Sequence, residues 1–276
     1  MKVGVFHTET SKNVADALMV GIAKCGHEAI LTPPSIDDMN VIAFYGMSPE
    51  HSALFNIMKS KNKPTVIVDA PYFDRKPKAQ GHLKVSVNGL HPHKYFQKFR
   101  HSDDRFKVLG VGVRPMRRGG DFIVLAGIGP KSSNYYGIKH QSWDIQAVAT
   151  IRSHTDKPII YRVKPNHVHT FKKIPRTTWS DTNRPLVKVL NGAWAVVTHH
   201  SNVAVDGIVK GIPCFAQDGV GTAIGLSDLN MINKPKIVSF EEQMQFLYDL
   251  AYTQWTLEEM ASGQCWKHLE SEGLLQ

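Results

Sequence analysis

The sequence predicts an α/β fold of two Rossmann-like domains that face a cleft. Short apolar segments alternate with helical segments, which is typical of parallel βαβ units. A stretch rich in Pro, Gly, Lys and His between Asp74 and Gly120 separates two such series. We therefore expect domains at residues 1–117 and 118–240. Helices within residues 241–276 are expected to pack back on the first domain.

The first series begins with a strand and a helix. Residues 2–6 form a short apolar run, and apolar residues then recur at helical spacing from Ser11 to Lys24. The strand predicted at 64–69 is a continuous apolar run of the kind that is buried in parallel sheets. The other elements predicted in this series are strands at 28–31, 41–45, 83–87 and 107–111 and a helix at 49–60.

The second series has the same alternation. Its predicted strands span residues 121–126, 158–163, 194–198 and 213–216. Helices are expected at 143–153, 202–210, 240–251 and 257–269. In open α/β sheets, ligands bind beyond the carboxyl ends of the strands. The loops that follow these strands are therefore the first candidates for a site.

The charge balance indicates a class of ligand. The chain has 33 Lys and Arg against 24 Asp and Glu, a net charge of +9. This excess favours phosphorylated or polyanionic ligands, although a solvated basic surface has the same composition. No apolar stretch has the length of a membrane helix, and the N-terminus lacks a signal-peptide pattern. We expect a soluble cytoplasmic protein with no membrane insertion and no obligate protein partner.

The cysteines and histidines do not predict a metal site. Three widely spaced cysteines suggest neither a disulfide framework nor a zinc site. Fourteen histidines include close pairs, but none lies in an HExxH motif or at zinc-like spacing from carboxylates. We therefore expect no metal and no other cofactor. Instead, His199 or His200 could donate to a phosphate or act as an acid or base near neutral pH.

The strongest candidate segment is 194–215, in which a buried strand leads through a polar turn into a helix. Free backbone N–H groups at a helix start suit a phosphate, which Ser201 and Asn202 would contact. Asp206 lies about one turn after Asn202 and could accept hydrogen bonds from sugar hydroxyls. The alternative is that Ser201 or Asn202 caps the helix and that Asp206 interacts with the helix dipole.

A second candidate is the loop at 126–133, which follows a predicted strand. Gly127 and Gly129 would allow a ligand to approach the backbone closely, and Lys131 and Ser132 would contact phosphate. The loop lacks the Gly-Lys-Ser/Thr spacing of a Walker A motif. A flexible βα turn is the alternative interpretation.

The first domain offers residues that could bind and activate an acceptor. The candidates for acceptor binding are His7, Thr8, Tyr72 and Arg114. Glu9 or Asp69 could act as general base for an attacking hydroxyl if the transfer inverts the sugar. The alternatives are N-capping of the first helix and a strand-end turn at Asp69.

The order of features in 194–215 resembles the donor-binding region of GT-B glycosyltransferases. These features are a strand, a polar turn with serine, a helix with an acidic residue, and Gly-x-Pro before another strand. The segment is most similar to the capsule-polysaccharide and Kdo-transferase-like branch. There an upstream strand ends in an Arg-Pro-His-Pro type motif, and the matching segment here is 159–167, with Lys164 in the place of the motif's histidine. The resemblance spans roughly residues 119–220.

This resemblance implies where a nucleotide-sugar donor would bind. Ser201 would contact a donor phosphate, and Arg162 and Lys164 would neutralise its charge. Asp206 would lie near the ribose or the sugar. Transfer to an acceptor hydroxyl would then depend on positioning and on stabilisation of the departing phosphate, without a metal.

We therefore predict a glycosyltransferase with a nucleotide-sugar as co-substrate. The positive charge favours DNA as the acceptor, for instance a hydroxymethylated pyrimidine in phage DNA flipped from the stack, in which case the protein would act in the host cytoplasm. A capsule or lipopolysaccharide acceptor is the alternative if the basic surface binds anionic lipid headgroups. A sugar-nucleotide epimerase would share the fold, and a non-enzymatic nucleic-acid-binding protein would explain the charge alone.

Overall fold

A computed structural model describes residues 1–76, 80–92 and 96–276 of the chain. These residues form two compact units, the first made of Met1–Phe96 with Leu250–Gln276 and the second of Gln97–Asp249. Within the described residues, no helix combines the length and the apolarity that a membrane crossing requires.

The secondary structure alternates between strands and helices along both units. The strands are β1 (Lys2–Phe6), β2 (Glu28–Leu31), β3 (Val41–Tyr45), β4 (Thr65–Asp69), β5 (Leu83–Val87), β6 (Phe122–Ala126), β7 (Ile159–Arg162), β8 (Thr178–Trp179), β9 (Ala193–Thr198), β10 (Cys214–Ala216) and β11 (Gln254–Trp255). The helices are α1 (Lys12–Lys24), α2 (Pro49–Ser60), α3 (Asp104–Val108), α4 (Pro130–Tyr135), α5 (Ser142–Arg152), α6 (Leu186–Val189), α7 (Val203–Val209), α8 (Phe240–Ala251), α9 (Leu257–Ser262) and α10 (Gln264–Ser271).

The described residues of the first unit form a sheet in the order β11-β5-β4-β3-β1-β2. Strands β1 to β4 pair in parallel, whereas β5 is antiparallel to β4 and β11 is antiparallel to β5. The side chains of β3 and β4 are buried almost throughout because helices cover the sheet, which explains their continuous apolar sequences. The parallel part of this sheet is Rossmann-like, as predicted.

The second unit contains a sheet in the order β10-β9-β6-β7-β8. All of its strand pairings among the described residues are parallel. Its core includes Ile123, Leu125, Ile159 and Val197, which point from adjacent strands towards Ile151 on α5. The prediction of two Rossmann-like α/β domains is therefore confirmed.

Two predicted elements differ from the structure. The strand predicted at 107–111 is wrong: α3 ends at Val108, which is 84% exposed, while Phe106 is buried. The helix predicted at 257–269 is interrupted at Gly263, whose φ of +88° is left-handed and separates α9 from α10. Elsewhere the predicted elements agree with the structure to within a residue or two.

The first unit ends earlier along the chain than the predicted domain at 1–117. The segment 97–117 groups with the second unit because its backbone is bonded there. Arg114 N–H donates to the Val209 carbonyl at 2.9 Å, and Met116 N–H donates to the buried amide oxygen of Gln243 at 3.1 Å. Arg114, a predicted acceptor-binding residue, thus belongs to the second unit.

Helices α9 and α10 return to the first unit, as predicted, whereas most of α8, also expected there, belongs to the second unit. Helix α9 packs against α1, and β11 extends the first sheet. The contact is close at Gly21 of α1, where a Cβ atom would lie 1.8 Å from the carbonyl oxygen of Met260. Only a residue without a side chain fits this position.

Replacing Gly21 with alanine should destabilise the first unit. In an open helix this change would stabilise by about 1 kcal/mol, but here the methyl group must push the Met260 backbone away, at a cost of roughly 1–3 kcal/mol or more. We expect a net loss in urea unfolding. The control is Gly89→Ala, where the nearest atom would be 3.8 Å away. Equal stability of Gly21→Ala and the wild type would contradict this packing.

Candidate functional site

The carboxyl ends of three neighbouring strands meet at one edge of the second sheet. Ala126 of β6 lies in register with Arg162 of β7 on one side and with Thr198 of β9 on the other. The loops after these strands therefore start side by side. We call the residues 127–131, 163–169 and 199–202 that follow them the second-unit edge.

The two glycines of the first loop have different surroundings. A Cβ atom on Gly127 would lie 2.9 Å from the Tyr161 hydroxyl and 3.0 Å from a carboxylate oxygen of Asp144, so this glycine allows close packing inside the unit. A Cβ atom on Gly129 would meet nothing nearer than a ring carbon of His167 at 3.9 Å. Of the two predicted positions, Gly129 is therefore the one with space for a ligand.

A buried carboxylate fixes this loop. Asp144 is fully buried, and its two oxygens accept hydrogen bonds from Ile128 N–H at 3.2 Å and from the Tyr161 hydroxyl at 2.5 Å. The Gln141 amide donates to the same hydroxyl at 3.3 Å and accepts from Lys172 N–H at 3.1 Å. The network thereby links the loop after β6 to the loop after β7. Sequence analysis missed Asp144; its only signal was an acidic residue in the first turn of α5.

The buried state of Asp144 should give the second unit a distinct pH dependence. Desolvation raises the pKa of this carboxyl from 3.8 to about 6, against its hydrogen bonds to Tyr161 and Ile128. Because the folded-state pKa is the higher one, the folded state binds the proton more tightly. The contribution of the Asp144 proton to the free energy of unfolding is complete below pH 4 and is lost as the pH rises through 6.

Unfolding experiments on the wild type and Asp144→Asn between pH 4 and 7 test whether Asp144 lowers the stability of the wild type as the pH rises. The wild type should lose up to roughly 3 kcal/mol relative to the variant over this range. At pH 4 the two proteins should have similar stability, since a protonated carboxyl and an amide are both neutral and each offers one carbonyl acceptor. Parallel stability curves for the two proteins would show that Asp144 does not titrate in this way.

Cationic side chains gather at the second-unit edge. Lys131 and Lys164 are exposed, and His167, on the same loop as Lys164, is half-buried. Burial first, and then the positive charges of Lys164, His169, Lys131 and His140, lower the pKa of His167. Among the described residues, none of Lys131, Lys164 and His167 has an ion-pair partner. We call these three residues the cationic group; His167 is an addition from the structure.

Arg162 has a different environment from the one that the resemblance implied. Its guanidinium donates to the Ser180 hydroxyl at 3.1 Å, to the Asp181 carbonyl at 2.9 Å and to the Thr182 carbonyl at 3.4 Å. Burial lowers its pKa, with the charge of Asp181 opposing this effect. The side chain therefore holds the loop after β8, and in this structure it is not part of the cationic group.

The two histidines after β9 lie in an aromatic cluster. His199 is 6% exposed, and its Nδ1 lies 3.2 Å from Nδ1 of His200. The rings of Tyr136 and Trp143 contact His199 edge-on, with centroids 4.6 and 5.5 Å away. Burial lowers the pKa of His199 despite the nearby charge of Asp218. Of this predicted pair, His200 is the more exposed.

The Ser201 hydroxyl lies in the turn before α7, whose N-cap residue is Asn202. Val203 N–H donates to the Ser201 hydroxyl at 3.3 Å, and Ser201 N–H donates to the Thr198 hydroxyl at 2.9 Å. Asn202, the N-cap residue of α7, and Asp206, in the first turn of that helix, are half-buried. Ser132 lies half-buried on α4, beside Lys131. These predicted residues are thus at or near the second-unit edge, and the Ser201 hydroxyl, which accepts a backbone hydrogen bond, keeps its own O–H for donation.

The first unit has a groove of its own at the carboxyl edge of β1, β3 and β4. It has a volume of about 760 Å³. Glu9 and Tyr45 line it, as do Ala70, Pro71 and Leu83. Of the two predicted carboxylates, Glu9 lines this groove directly, and Asp69 lies beside it at the end of β4.

The other first-domain candidates have structural roles. Thr8 N–H donates to the Ser11 hydroxyl at 3.0 Å within a capping box of the 3₁₀ turn Glu9–Ser11, which leads into α1. His7 Nδ1 lies 3.2 Å from the Thr8 carbonyl. Tyr72 is 2% exposed, and its hydroxyl is 3.0 Å from His91 Nδ1. The predicted contact between Tyr72 and an acceptor therefore does not fit this burial.

Comparison with known proteins identifies the fold. No family model matches the sequence, and no curated protein matches it. The β Kdo 2,4 transferase structure of Thermosulfurimonas dismutans KpsC is similar at 12% identity over 90% of each chain, with a TM-score of 0.52. The β Kdo 2,7 transferase structure of the same KpsC matches at 11% identity over 96% of this chain and 99% of that one, with a TM-score of 0.51. The predicted GT-B-like fold and its nearness to the Kdo-transferase branch are confirmed at the level of the fold.

Proposed function

We propose that this chain is a glycosyltransferase that binds a nucleotide-sugar at the second-unit edge and transfers the sugar to an acceptor hydroxyl. Two observations support the proposal. The fold is shared with two KpsC structures that are described as Kdo transferases. The carboxyl edge of the second sheet, where ligands bind in this class of fold, carries the cationic group.

The cationic group is the observation on which the proposal depends most. Cations that lie close together without acidic partners repel one another, which explains why their charges lower the pKa of His167. A bound phosphate would remove this repulsion and accept charge-assisted hydrogen bonds. Lys131, Lys164 and His167 are therefore the residues that we assign to the donor phosphate.

The same residues suit the chemistry of sugar transfer. As the acceptor oxygen bonds to the anomeric carbon, the bond from that carbon to the phosphate oxygen breaks, and the phosphate leaves with the electron pair. Positive charge held in place at the leaving group stabilises this developing anion. We propose that the cationic group, rather than a bound metal, offsets this charge. The acceptor proton would pass to a base, for which the first unit offers Glu9 and Asp69.

Two classes of acceptor, a glycan and DNA, were predicted from the sequence. The Kdo transfer named for the two KpsC structures favours a sugar hydroxyl of a capsule or lipopolysaccharide. The DNA acceptor that the net charge of +9 suggested has no support from these comparisons. We therefore propose a glycan acceptor.

A binding screen with UDP-, GDP-, CMP- and ADP-sugars tests the donor site. One class should raise the melting temperature of the wild-type protein, because a ligand that binds only the folded state stabilises it. Lys131→Ala and Lys164→Ala should each weaken the binding of that nucleotide-sugar by about 10- to 100-fold, because each removes one charge-assisted hydrogen bond. Calorimetry measures the affinities, which should also fall with added salt.

The matched control is Lys188→Ala. Lys188 is an exposed lysine on α6, just before β9 and therefore at the opposite end of the strand. Its replacement should leave donor affinity unchanged. Equal weakening by all three variants would indicate a general charge effect, and tight salt-dependent DNA binding without any nucleotide-sugar binding would favour the nucleic-acid-binding alternative.

A further inference from the structure

Lysines and arginines gather at the amino end of the second sheet. Four of its strands pair in parallel, so the loops that lead into them lie side by side. Each of these loops carries a cation, and we call the set the basic face: Arg117 and Arg118 before β6, Lys157 before β7, Lys188 before β9 and Lys210 before β10. This end of the sheet is opposite to the second-unit edge, where the same strands finish.

Hydrogen bonds join the loops of the basic face into one surface. Arg117 N–H donates to the carbonyl of Gly211, the residue after Lys210, at 3.0 Å. The Lys210 ammonium donates at 3.2 Å to the side-chain oxygen of Asn191, which lies in the loop before β9. The loops before β6, β9 and β10 are therefore in direct contact.

A neighbouring segment of the chain extends the basic face. The Lys157 ammonium lies 4.6 Å from the centre of the Trp194 ring, at the start of β9. The indole N–H of Trp194 donates to the Ile232 carbonyl at 2.8 Å. On either side of Ile232 the chain exposes Met231 and Lys234. This segment therefore adds a further cation and an apolar side chain to the same end of the unit.

Few acidic residues neutralise the basic face. Among the residues that the structure describes, no ion pair engages Arg117, Arg118, Lys188, Lys210 or Lys234. The acidic side chains at this end are Asp121, Asp156, Glu241 and Glu242, of which Asp156 pairs with Arg176 at 3.7 Å and Glu242 with Lys236 at 3.5 Å. Cations that lie together in this way repel one another, and a negatively charged partner would offset the repulsion.

Exposed apolar side chains lie among these charges. Val187 on α6 is 53% exposed and Met231 is 40% exposed. Phe240, which is 46% exposed, lies one turn before Gln243 on α8, and the Gln243 amide oxygen accepts from Met116 N–H beside the arginines of the basic face. Apolar side chains between cations suit the boundary between lipid headgroups and acyl chains, whereas a nucleic-acid backbone offers them no apolar surface.

We propose that the basic face is a docking surface for an anionic lipid bilayer. Its cations attract the lipid headgroups, and Val187, Met231 and Phe240 enter the headgroup region. The strands of the second unit run from this face to the second-unit edge, so a bilayer bound here leaves the cationic group open to solution, from which a nucleotide-sugar arrives. The inference goes beyond the proposed function and does not rest on it.

Flotation of the full chain with lipid vesicles tests this surface. Vesicles of equal parts phosphatidylcholine and phosphatidylglycerol should carry the protein at low salt, whereas phosphatidylcholine alone should not, because it has no net charge to attract the cations. Replacing Arg117 and Arg118 together with glutamine should weaken binding to the anionic vesicles by about 20-fold, since each cation near such a surface contributes about five-fold. Added salt should weaken the binding of the wild type as well.

The matched control removes the same charge from the other end of the second unit. Lys139 and Lys172 are exposed, and both lie close to Gln141, whose amide oxygen accepts from Lys172 N–H at 3.1 Å. The double variant with Lys139→Gln and Lys172→Gln should bind anionic vesicles as the wild type does. An equal loss in both double variants would indicate a general effect of net charge and would overturn the docking surface.

Single substitutions test the insertion of apolar side chains. Met231→Ser and Phe240→Ser should each weaken vesicle binding by roughly 10-fold, because less apolar surface then leaves water. The control is Ile145→Ser, a residue that is 54% exposed in the first turn of α5 and therefore near the second-unit edge. It should bind vesicles as the wild type does. All of these side chains are exposed or half-buried, so unchanged thermal unfolding should accompany each change.

Two results would overturn the inference. One is failure of the wild-type protein to bind anionic vesicles at low salt. The other is DNA binding that the arginine variant loses and Met231→Ser keeps, without vesicle binding, which would assign the basic face to a nucleic acid instead. Neither result bears on the donor site, because the nucleotide-sugar screen tests that site without lipid.

Discussion

The arrangement of the second unit depends on the burial of one carboxylate. Asp144 accepts hydrogen bonds from the loop after β6 and from the strand β7, and Gln141 extends this network to the loop after β7. The packing is so close that Gly127 has no room for a side chain. Lys131 and Lys164 are on separate loops, and a fixed relation between these loops keeps their charges near His167. Burying Asp144 is unfavourable by itself, but its hydrogen bonds fix the two loops and so keep these mutually repelling cations close together.

The first unit uses a buried charge in a related way. There the burial of Lys84 orients the carboxylate of Asp69 at the end of β4, beside the groove. In each unit a buried charged side chain, Asp144 on α5 or Lys84 on β5, fixes groups at the carboxyl edge of the sheet. Such interior charges contribute little to stability when compared with apolar packing. Their effect is to fix the geometry of side chains and loops at the carboxyl edge of each sheet.

Sequence patterns were sufficient for the elements and for the general location of the site. Continuous apolar runs identify β4, β6 and β9 because these strands are buried on both faces, and the carboxyl-edge rule then selects the loops with Lys131 and Lys164. Partners that are distant in sequence could not be predicted in this way. Arg162 is engaged by residues 180–182, and Tyr72 is buried against His91, contacts that only the folded chain creates. The same reason explains why the backbone bonds of 114–117 to the second unit were missed.

The protonation of His167 provides the most direct test of a phosphate site at the second-unit edge. Proton NMR of the His167 ring, assigned with His167→Gln, would follow its titration with and without the nucleotide-sugar that binds. If phosphate lies among Lys131, Lys164 and His167, the depressed pKa of His167 should rise on binding, because the ligand's negative charge offsets that of the neighbouring cations. An unchanged titration of His167 in a protein saturated with nucleotide-sugar would place the donor elsewhere.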